Sequence, residues 1–423
     1  MSEHEAMSND VDVLVVGGGT AGPIAAIQAA RAGARTLLIE AGSQLGGTMT
    51  TGGVPVPGLF HAWGRQIIRG IGWELVERTV ELDGGTMPDF SKPPVRHWGH
   101  QVWLNEYLYA ALAEEACLDA GVEVCYYEFP VAGRATTTGW EIEAAGRGVR
   151  RTIRCRQLVD CTGGADVVGM LGFARLREDG IQPGTLTFVL GGYKASELDA
   201  DLIQERYEQA LRDGVLQKGD FAAVGGRFVG FLGGGGRNQN HIFGADSSTS
   251  VSHTAANIAG RRSLLRLLRF IRTLPGCEQA RVLRMQPETA ARETYRIEGE
   301  VVITVEDYTG GRVFEDAVCY AFYPIDLHTE EGCTPEPLAE GVVPTVPLGA
   351  LVPRGSRNLM VAGRSVSSDR LANSALRVQA PAMAMGQAAG AAAALAARAD
   401  ATPMDVPMEE LRALLREHDA IVP

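Results

Sequence analysis

Apolar and polar positions follow two different periods along this chain. Val11–Val16 is an apolar run of strand length, broken only by Asp12. Ala21–Ala32 places small apolar residues at helical spacing, and Thr36–Ile39 is a second apolar run, ended by Glu40. Such runs linked by a helix predict a βαβ unit with a parallel sheet. Trp103–Ala120 reads as an amphipathic helix closed by Gly121, because glycine adopts the left-handed C-cap at least cost. Val122–Tyr127 then predicts a strand. Thr137–Ala144 and Val149–Arg154 predict an antiparallel ribbon, and Leu158–Cys161 a short buried strand running into Thr162-Gly163-Gly164.

Beyond Gly191 the pattern changes. Glu197–Arg212 reads as a polar helix stopped by Gly214, followed by glycine-rich strands through Ala245. A long helix is expected over Ser252–Thr273, ending before Pro275, and strands over Glu300–Val305 and Arg312–Phe322. From Asn358 the α/β style returns, with a strand at Leu359–Ala362 and a helix of small residues at Ala380–Ala397. The expected fold class is therefore α/β: a Rossmann-like, three-layer domain with a parallel sheet plus antiparallel ribbon, carrying an inserted α+β domain. Residues 11–60, 95–190 and 340–400 are expected in the first domain, and 61–94 and 191–339 in a substrate or cap domain. Residues 1–10 are expected to be disordered, and 401–423 to form a C-terminal tail with a short helix.

Composition narrows the function classes. The chain has 423 residues, 45% of them hydrophobic, which makes two domains the prior expectation. Its glycines gather at 17–19, 46–47, 52–53 and 233–236, where a backbone can come close to a neighbour. A net charge of −12 without a basic patch speaks against nucleic-acid binding. The most basic stretch, Arg261–Arg272, has leucines between its charges and reads as an amphipathic helix with a solvated face. Seven scattered cysteines contain no Cys-x-x-Cys pair, which argues against zinc, a redox dithiol and a disulfide framework; no metal is expected. The first ten residues lack a signal peptide's apolar stretch, and no run of 18 apolar residues occurs. The expectation is a cytoplasmic protein with no membrane span.

Gly17-x-Gly19-x-x-Gly22 sits between the first strand and the first helix, where a dinucleotide fold needs it. Gly17 permits the tight turn, Gly19 admits a pyrophosphate to the backbone, and Gly22 lets helix and strand pack. Thr20 and Ala21 open the helix whose N-terminal amides attract phosphate. Glu40, 18 residues after Gly22 at a strand end and followed by Ala41, would accept from ribose hydroxyls and repel a 2′-phosphate, so NADP is not expected. Three further segments bear on the choice between NAD and FAD: Gly46-Gly47-Thr48, Val159-Asp-Cys161-Thr162-Gly163, and Asn358-Leu-Met-Val-Ala-Gly363-Arg364. They resemble segments of FAD-binding proteins of the glutathione-reductase-like class. In that class the first approaches the flavin side, and the third touches the second phosphate and the ribityl chain. Cys161 stands where the class usually has Ala, and Arg364 where many relatives have Asp. The resemblance implies FAD held by these residues together with Val131 and Gly386, with Arg364 turned to a phosphate or to the substrate.

A longer set of marks spans Val11–Ala394. They are Gly46–Gly53, Gln182-Pro-Gly-Thr-Leu-Thr-Phe188, Ala291-Arg-Glu-Thr-Tyr-Arg-Ile-Glu-Gly299, Tyr323-Pro-Ile-Asp-Leu-His328, Leu351-Val-Pro-Arg354, and Val361–Arg364 with Arg377 and Met383–Gly390. Together they resemble the bacterial FAD-dependent oxidoreductase family, distantly related to fumarate reductase flavoproteins. That resemblance implies a fold and FAD and names no substrate. Tyr295 replaces a basic residue of the family pattern. Thr48–Thr51 occupies the place where relatives with covalent flavin carry His, so non-covalent FAD is expected, His61 being the nearby residue a covalent link would require.

In a flavoprotein the cofactor carries the redox step, while the protein positions substrate and moves protons. Histidine is scarce, at eight residues. His328 ends the strand-like 323–328 segment and is the leading acid–base candidate. Asp326, two positions earlier on the same strand face, would orient it. Tyr295 is a candidate proton donor to an oxyanion. Arg292 and Arg296, four apart, would pair on a substrate carboxylate, or else bridge the domains to surplus acids. His241 is a candidate pocket residue, Tyr323 reads as packing, and His253 as a helix-cap position. The expected activity moves a hydride between a small alcohol, amine or acid and flavin N5, with an unidentified electron acceptor and the oligomeric state left open. A flavin monooxygenase or halogenase, and a non-catalytic FAD-binding protein, are the alternatives. The missing Cys-x-x-Cys sets a disulfide reductase aside.

Overall fold

The computed structural model describes residues 9–92, 97–222 and 226–423. Strand β1 (Asp10–Val16), helix α1 (Ala21–Arg31) and β2 (Thr36–Glu40) form the expected βαβ unit. Asp10, expected to be disordered, already pairs with Arg154; residues 1–8 lie outside the described residues. Then come α2 (Ile71–Leu82), α3 (Glu106–Asp119), β3 (Glu123–Tyr126), β4 (Glu128–Ala135), β5 (Trp140–Gly146) and β6 (Val149–Asp160). Helix α3 starts at Glu106 rather than Trp103 because Asn105 caps it, accepting from the amides of Tyr107 (3.1 Å) and Leu108 (3.3 Å). Strand β6 joins two segments expected to be separate. Its residues 149–155 pair antiparallel with β5, and 154–160 pair parallel with β1.

The middle of the chain forms a second sheet from β7 (Thr185–Gly191), β8 (Gly236–Arg237) and β9 (Arg281–Ala290), in the order β8–β7–β9. Around it pack α4 (Ala200–Arg212), α5 (Phe228–Gly233) and α6 (Ser250–Ile271). Here the expected glycine-rich strands are wrong over 228–233. Phe228, Phe231 and Leu232 are spaced for a helix and all three are buried, which overrides the glycines between them. Glu300–Val305 is not a strand either: Thr304 and Asp307 form a capping box that starts a short helix, Val305–Thr309. The ribbon of β10 (Ala317–Tyr320) and β11 (Thr345–Pro347) is shorter than Arg312–Phe322, because the Thr345 hydroxyl takes the Arg312 carbonyl and the Phe314 amide.

The chain then returns as β12 (Leu359–Val361), α7 (Arg370–Leu376), α8 (Gln379–Ala399) and α9 (Met408–Glu417). The main sheet runs β3–β2–β1–β6–β5–β4, with β12 also on β6. Val13, Val15 and Leu38 face the helices, while Leu14, Val16, Leu37 and Ile39 face Trp140, Ile142 and Ile153 of the ribbon. Helix α8 lies against α1 so closely that a Cβ on Gly386 or Gly390 would be driven into the carbonyl oxygens of Ala21 and Ala25. Helix α2, expected in the inserted domain, packs on α1, α3 and α8. The expected tail is docked: Leu411 and Leu415 of α9 are buried, and Gln387 of α8 donates to the His418 carbonyl at 2.9 Å. Among the described residues, no helix is long and apolar enough to cross a membrane.

Register decides where the site lies. Asp160 of β6 stands opposite Val16 of β1 and Val361 of β12. The turns that follow these three strands therefore leave the sheet at one level, at its carboxyl edge, which is where open α/β sheets bind ligands.

Candidate active site

The three turns meet one cavity of about 1010 Å³. The fingerprint glycines divide by what a side chain there would meet. A Cβ on Gly17, whose φ is +99°, would lie 2.7 Å from the Cys161 backbone, and one on Gly22 would strike the Gly17 carbonyl. Those two serve packing. At Gly19 the nearest atom would be 3.8 Å away, so its bareness leaves room for something outside the chain. Gly19, Thr20 and Ala21 line the cavity at the start of α1, where unpaired amides and the helix dipole favour an anion. Gly47 closes over the loop, since a Cβ there would sit 2.9 Å from Gly19 Cα. Thr48, Cys161, Thr162, Gly163, Gly363 and Arg364 continue the wall. Arg364 donates to the carbonyls of Gly163 (2.7 Å) and Ala291. Glu40 lies just behind, and its two oxygens accept the amides of Gly18 and Gly42, each at 2.5 Å.

The same cavity is lined by His241, Asp326 and His328. His328 Nδ1 is 2.9 Å from His241 Nε2, and His328 Nε2 is 3.3 Å from Asp326 Oδ2. Asp326 also receives Arg377 Nη2 at 3.3 Å and the Cys333 thiol at 3.0 Å. Gln182 holds this group in place. Its Oε1 accepts from the His328 amide (3.0 Å) and from Arg377 (3.2 Å), while Glu293, clamped by Arg370 at 2.7 Å, accepts from its amide nitrogens.

Burial alone would raise the Asp326 carboxyl, but the hydrogen bond from His328 and the charge of Arg377 hold it well below the usual range. Burial pushes His328 down to about 4 against the pull of Asp326, with Arg292 acting in the same sense as burial. Burial and then Arg292 push His241 down to about 3. At neutral pH a carboxylate therefore faces two neutral imidazoles. The hydrogen bonds then assign the tautomers: His328 Nε2–H donates to Asp326, and His328 Nδ1 accepts from His241 Nε2–H. The lone pair of His241 Nδ1 has no hydrogen-bond partner among the described residues. Ligand atoms of Asp326, His328 and Cys333 lie within 4.8 Å of one another, near enough to share a metal ion. Burial pushes the Cys333 thiol up to about 12, however, and Arg292 and Arg377 face the same spot, a setting that disfavours a cation.

Residues 12–415 match the family model described as FAD dependent oxidoreductase. The chain belongs to that family. No curated protein matches it. Among solved structures it is similar to a geranylgeranyl bacteriochlorophyll reductase-like protein from Thermoplasma acidophilum, at 13% identity and a TM-score of 0.45, over 97% of this chain and 84% of that one. It is also similar to the OxyS anhydrotetracycline hydroxylase from Streptomyces rimosus and to the flavin-dependent brominase Bmp2. Each matches at 17% identity and a TM-score of 0.32 over 44% of this chain, which spans 38% of the hydroxylase and 47% of the brominase. The family makes this chain an FAD-dependent enzyme, and the cavity fits the cofactor. The open face of Gly19, the start of α1 and the Arg364 guanidinium, which has no carboxylate within 4 Å among the described residues, suit a pyrophosphate.

Not every expected residue reaches the cavity. Tyr295 is not part of its lining, and the guanidiniums of Arg175 (4.0 Å) and Arg177 (5.0 Å) lie over its ring. Arg296 is buried on Glu178 (2.6 Å) and the Ser368 carbonyl (2.9 Å), so the expected Arg292–Arg296 pair does not form and only Arg292 lines the cavity. Val131 and Ala41 are exposed and away from it. Gly386 serves the contact with α1. His61 stacks on Phe90 at 3.8 Å, and His253 lies at the start of α6, four residues after its Thr249 cap. Tyr323, read as packing, lines the cavity and accepts from Gln101 at 3.0 Å. Arg377, Gln182, Cys333 and Thr187 were not expected as site residues. Three of these four stand at or near the quoted family marks, but periodicity alone gave none of them a role.

Proposed function

We propose that this enzyme moves a hydride between a small polar substrate and non-covalently bound FAD, and that the Asp326–His328–His241 chain handles the accompanying proton. The observation that carries this reading is a single cavity lined both by the dinucleotide loop and by a buried carboxylate–imidazole–imidazole chain. When bound, the flavin supplies the two-electron chemistry at N5. The protein supplies proton transfer. Asp326 fixes the His328 tautomer, His328 fixes that of His241, and His241 Nδ1 offers its lone pair to a substrate hydroxyl or amine. On proton uptake at His241, the positive charge is stabilised through His328 by Asp326, so that no lone imidazolium is left in a buried site. His61, stacked on Phe90, supports non-covalent binding because its ring is already packed.

The test is His328→Asn. The purified variant is expected to stay yellow while anaerobic flavin bleaching by substrate slows about 100-fold or more, the usual weight of general acid–base catalysis. Bleaching at the unaltered rate would remove this chain of residues from the mechanism.

A further inference from the structure

Among the described residues, five guanidiniums line the cavity (Arg237, Arg284, Arg292, Arg364 and Arg377), against one carboxylate, Asp326. Arg284 has Glu106 at 2.9 Å and Arg377 has Asp326 at 3.3 Å. The other three have no carboxylate within 4 Å among the described residues. Arg364 bonds to Gly163 in the cofactor turn, and Arg237 is exposed beside Trp103. Arg292 is different. It lines the same cavity as His241 and His328, and apart from burial its charge is what most disfavours a proton on His241. Among the described residues its one hydrogen bond goes to the Pro183 carbonyl, which leaves four of a guanidinium's five N–H donors. A half-buried, permanently charged group with so few acceptors is costly without an anion. A second observation points to a ligand here. Thr187 Oγ1 and Arg377 Nε are buried without hydrogen-bond partners, and both residues line this cavity.

We infer that the substrate is a 2-hydroxy acid, or the matching 2-oxo acid in the reverse direction, whose carboxylate is held by Arg292 beside His241. This inference rests on the hydride-transfer reading above. A carboxylate suits the planar fork of Arg292, which can bind both its oxygens. With the anchor and the base lining one cavity and the Arg292 charge felt at His241, the carbon that loses hydride is assigned next to the carboxylate. An amino acid fits less well. Its ammonium would need a carboxylate, and Asp326 already holds His328, Arg377 and Cys333. The step balances: the C2–H bond breaks and its electron pair passes as hydride to oxidised flavin. The hydroxyl proton passes to His241 Nδ1, and C2 becomes the carbonyl carbon of a 2-oxo acid.

The test is binding, measured by calorimetry on the FAD-loaded enzyme with pyruvate and phenylglyoxylate, which are 2-oxo acids unable to reduce oxidised flavin. Lactamide and L-alanine are the neutral and zwitterionic controls, and flavin bleaching by glycolate, by D- and L-lactate and by mandelate is followed in parallel. At least one 2-oxo acid is expected to bind while the controls do not. Arg292→Gln is expected to weaken that binding roughly thirtyfold or more, and Arg292→Lys, which keeps the charge and loses the fork, by about tenfold. The lysine variant also serves if the glutamine variant fails to fold. Equal binding of lactamide, no binding of either oxo acid, or undiminished binding by yellow Arg292 variants would overturn the assignment. Arg292-dependent binding with no bleaching by any hydroxy acid, and no reoxidation of chemically reduced flavin by either oxo acid under anaerobic conditions, would instead defeat the redox reading and leave the carboxylate class standing. Bleaching by simple alcohols or amines, but by no acid, would do the reverse.

Discussion

His328 and His241 are held neutral by the fold, and that has a thermodynamic sign. Their pKa values lie at about 4 and about 3 in the folded chain, against about 6.5 when unfolded. Between those limits the unfolded chain binds more protons, so stability rises with pH. The contribution is complete above about pH 6.5 and is lost as pH falls toward 4. Melting temperature is therefore expected to fall steeply from pH 7 to pH 4, with a His241→Asn, His328→Asn double variant showing a visibly shallower slope. A loss on the order of 3 kcal/mol is in play for such a shift; identical slopes would mean other groups dominate acid unfolding. At this scale the sequence was partly legible. His328, Asp326, His241 and Arg292 were singled out because their residue types suit the chemistry, and the fold brings all four to one cavity. Tyr295 and Arg296 lie off the cavity because the three charges that engage them come from Arg175, Arg177 and Glu178, over 110 positions away in sequence. No local spacing announces such a partner.

The elements separate two uses of glycine that look alike in a sequence. Gly19 faces open space, whereas Gly386 and Gly390 face the backbone of α1. Gly390→Ala is expected to cost roughly 1–3 kcal/mol of stability by overpacking, and Gly390→Val more, read as a lowered denaturant midpoint. Gly19→Ala is expected to leave the FAD-free melting temperature nearly unchanged while weakening FAD binding at least tenfold; an intact affinity would mean that the cofactor does not approach this backbone. The parallel strands and the long helices were legible because buried runs and amphipathic periods are local signals. Helix α5 and the start of Val305–Thr309 were not, because a hydrophobic spacing of three and four inside glycines, or a lone Thr-x-x-Asp box, competes with a strand-like alternation until tertiary packing decides. The union of two expected strands in β6 was hidden for a related reason: its first half faces ribbon and its second half faces sheet, so its polarity changes midway.

On the scale of the whole molecule, a chain of net charge −12 gathers five of its described arginines around one enclosure. Those charges repel one another until an anionic cofactor enters. Removing FAD is therefore expected to lower the melting temperature by several degrees, because a ligand bound only by the folded state adds about 4 kcal/mol at a thousandfold excess over Kd. An unchanged melting temperature after stripping would show that the folded protein gains nothing from the cofactor. The walls of that enclosure come from distant parts of the chain: the loop before α1, the turn after β6, the middle sheet, and the turn after β12. Strand β12 and helix α8 follow every other wall of the enclosure in the chain, yet the turn after β12 carries Gly363 and Arg364 and α8 is what α1 leans on. During synthesis the nascent chain therefore exposes its phosphate loop long before anything can close behind it. Cofactor loading must wait until the segment from residue 359 onward has been made, and an interrupted product ending before residue 359 is expected to be colourless however well its first sheet has formed.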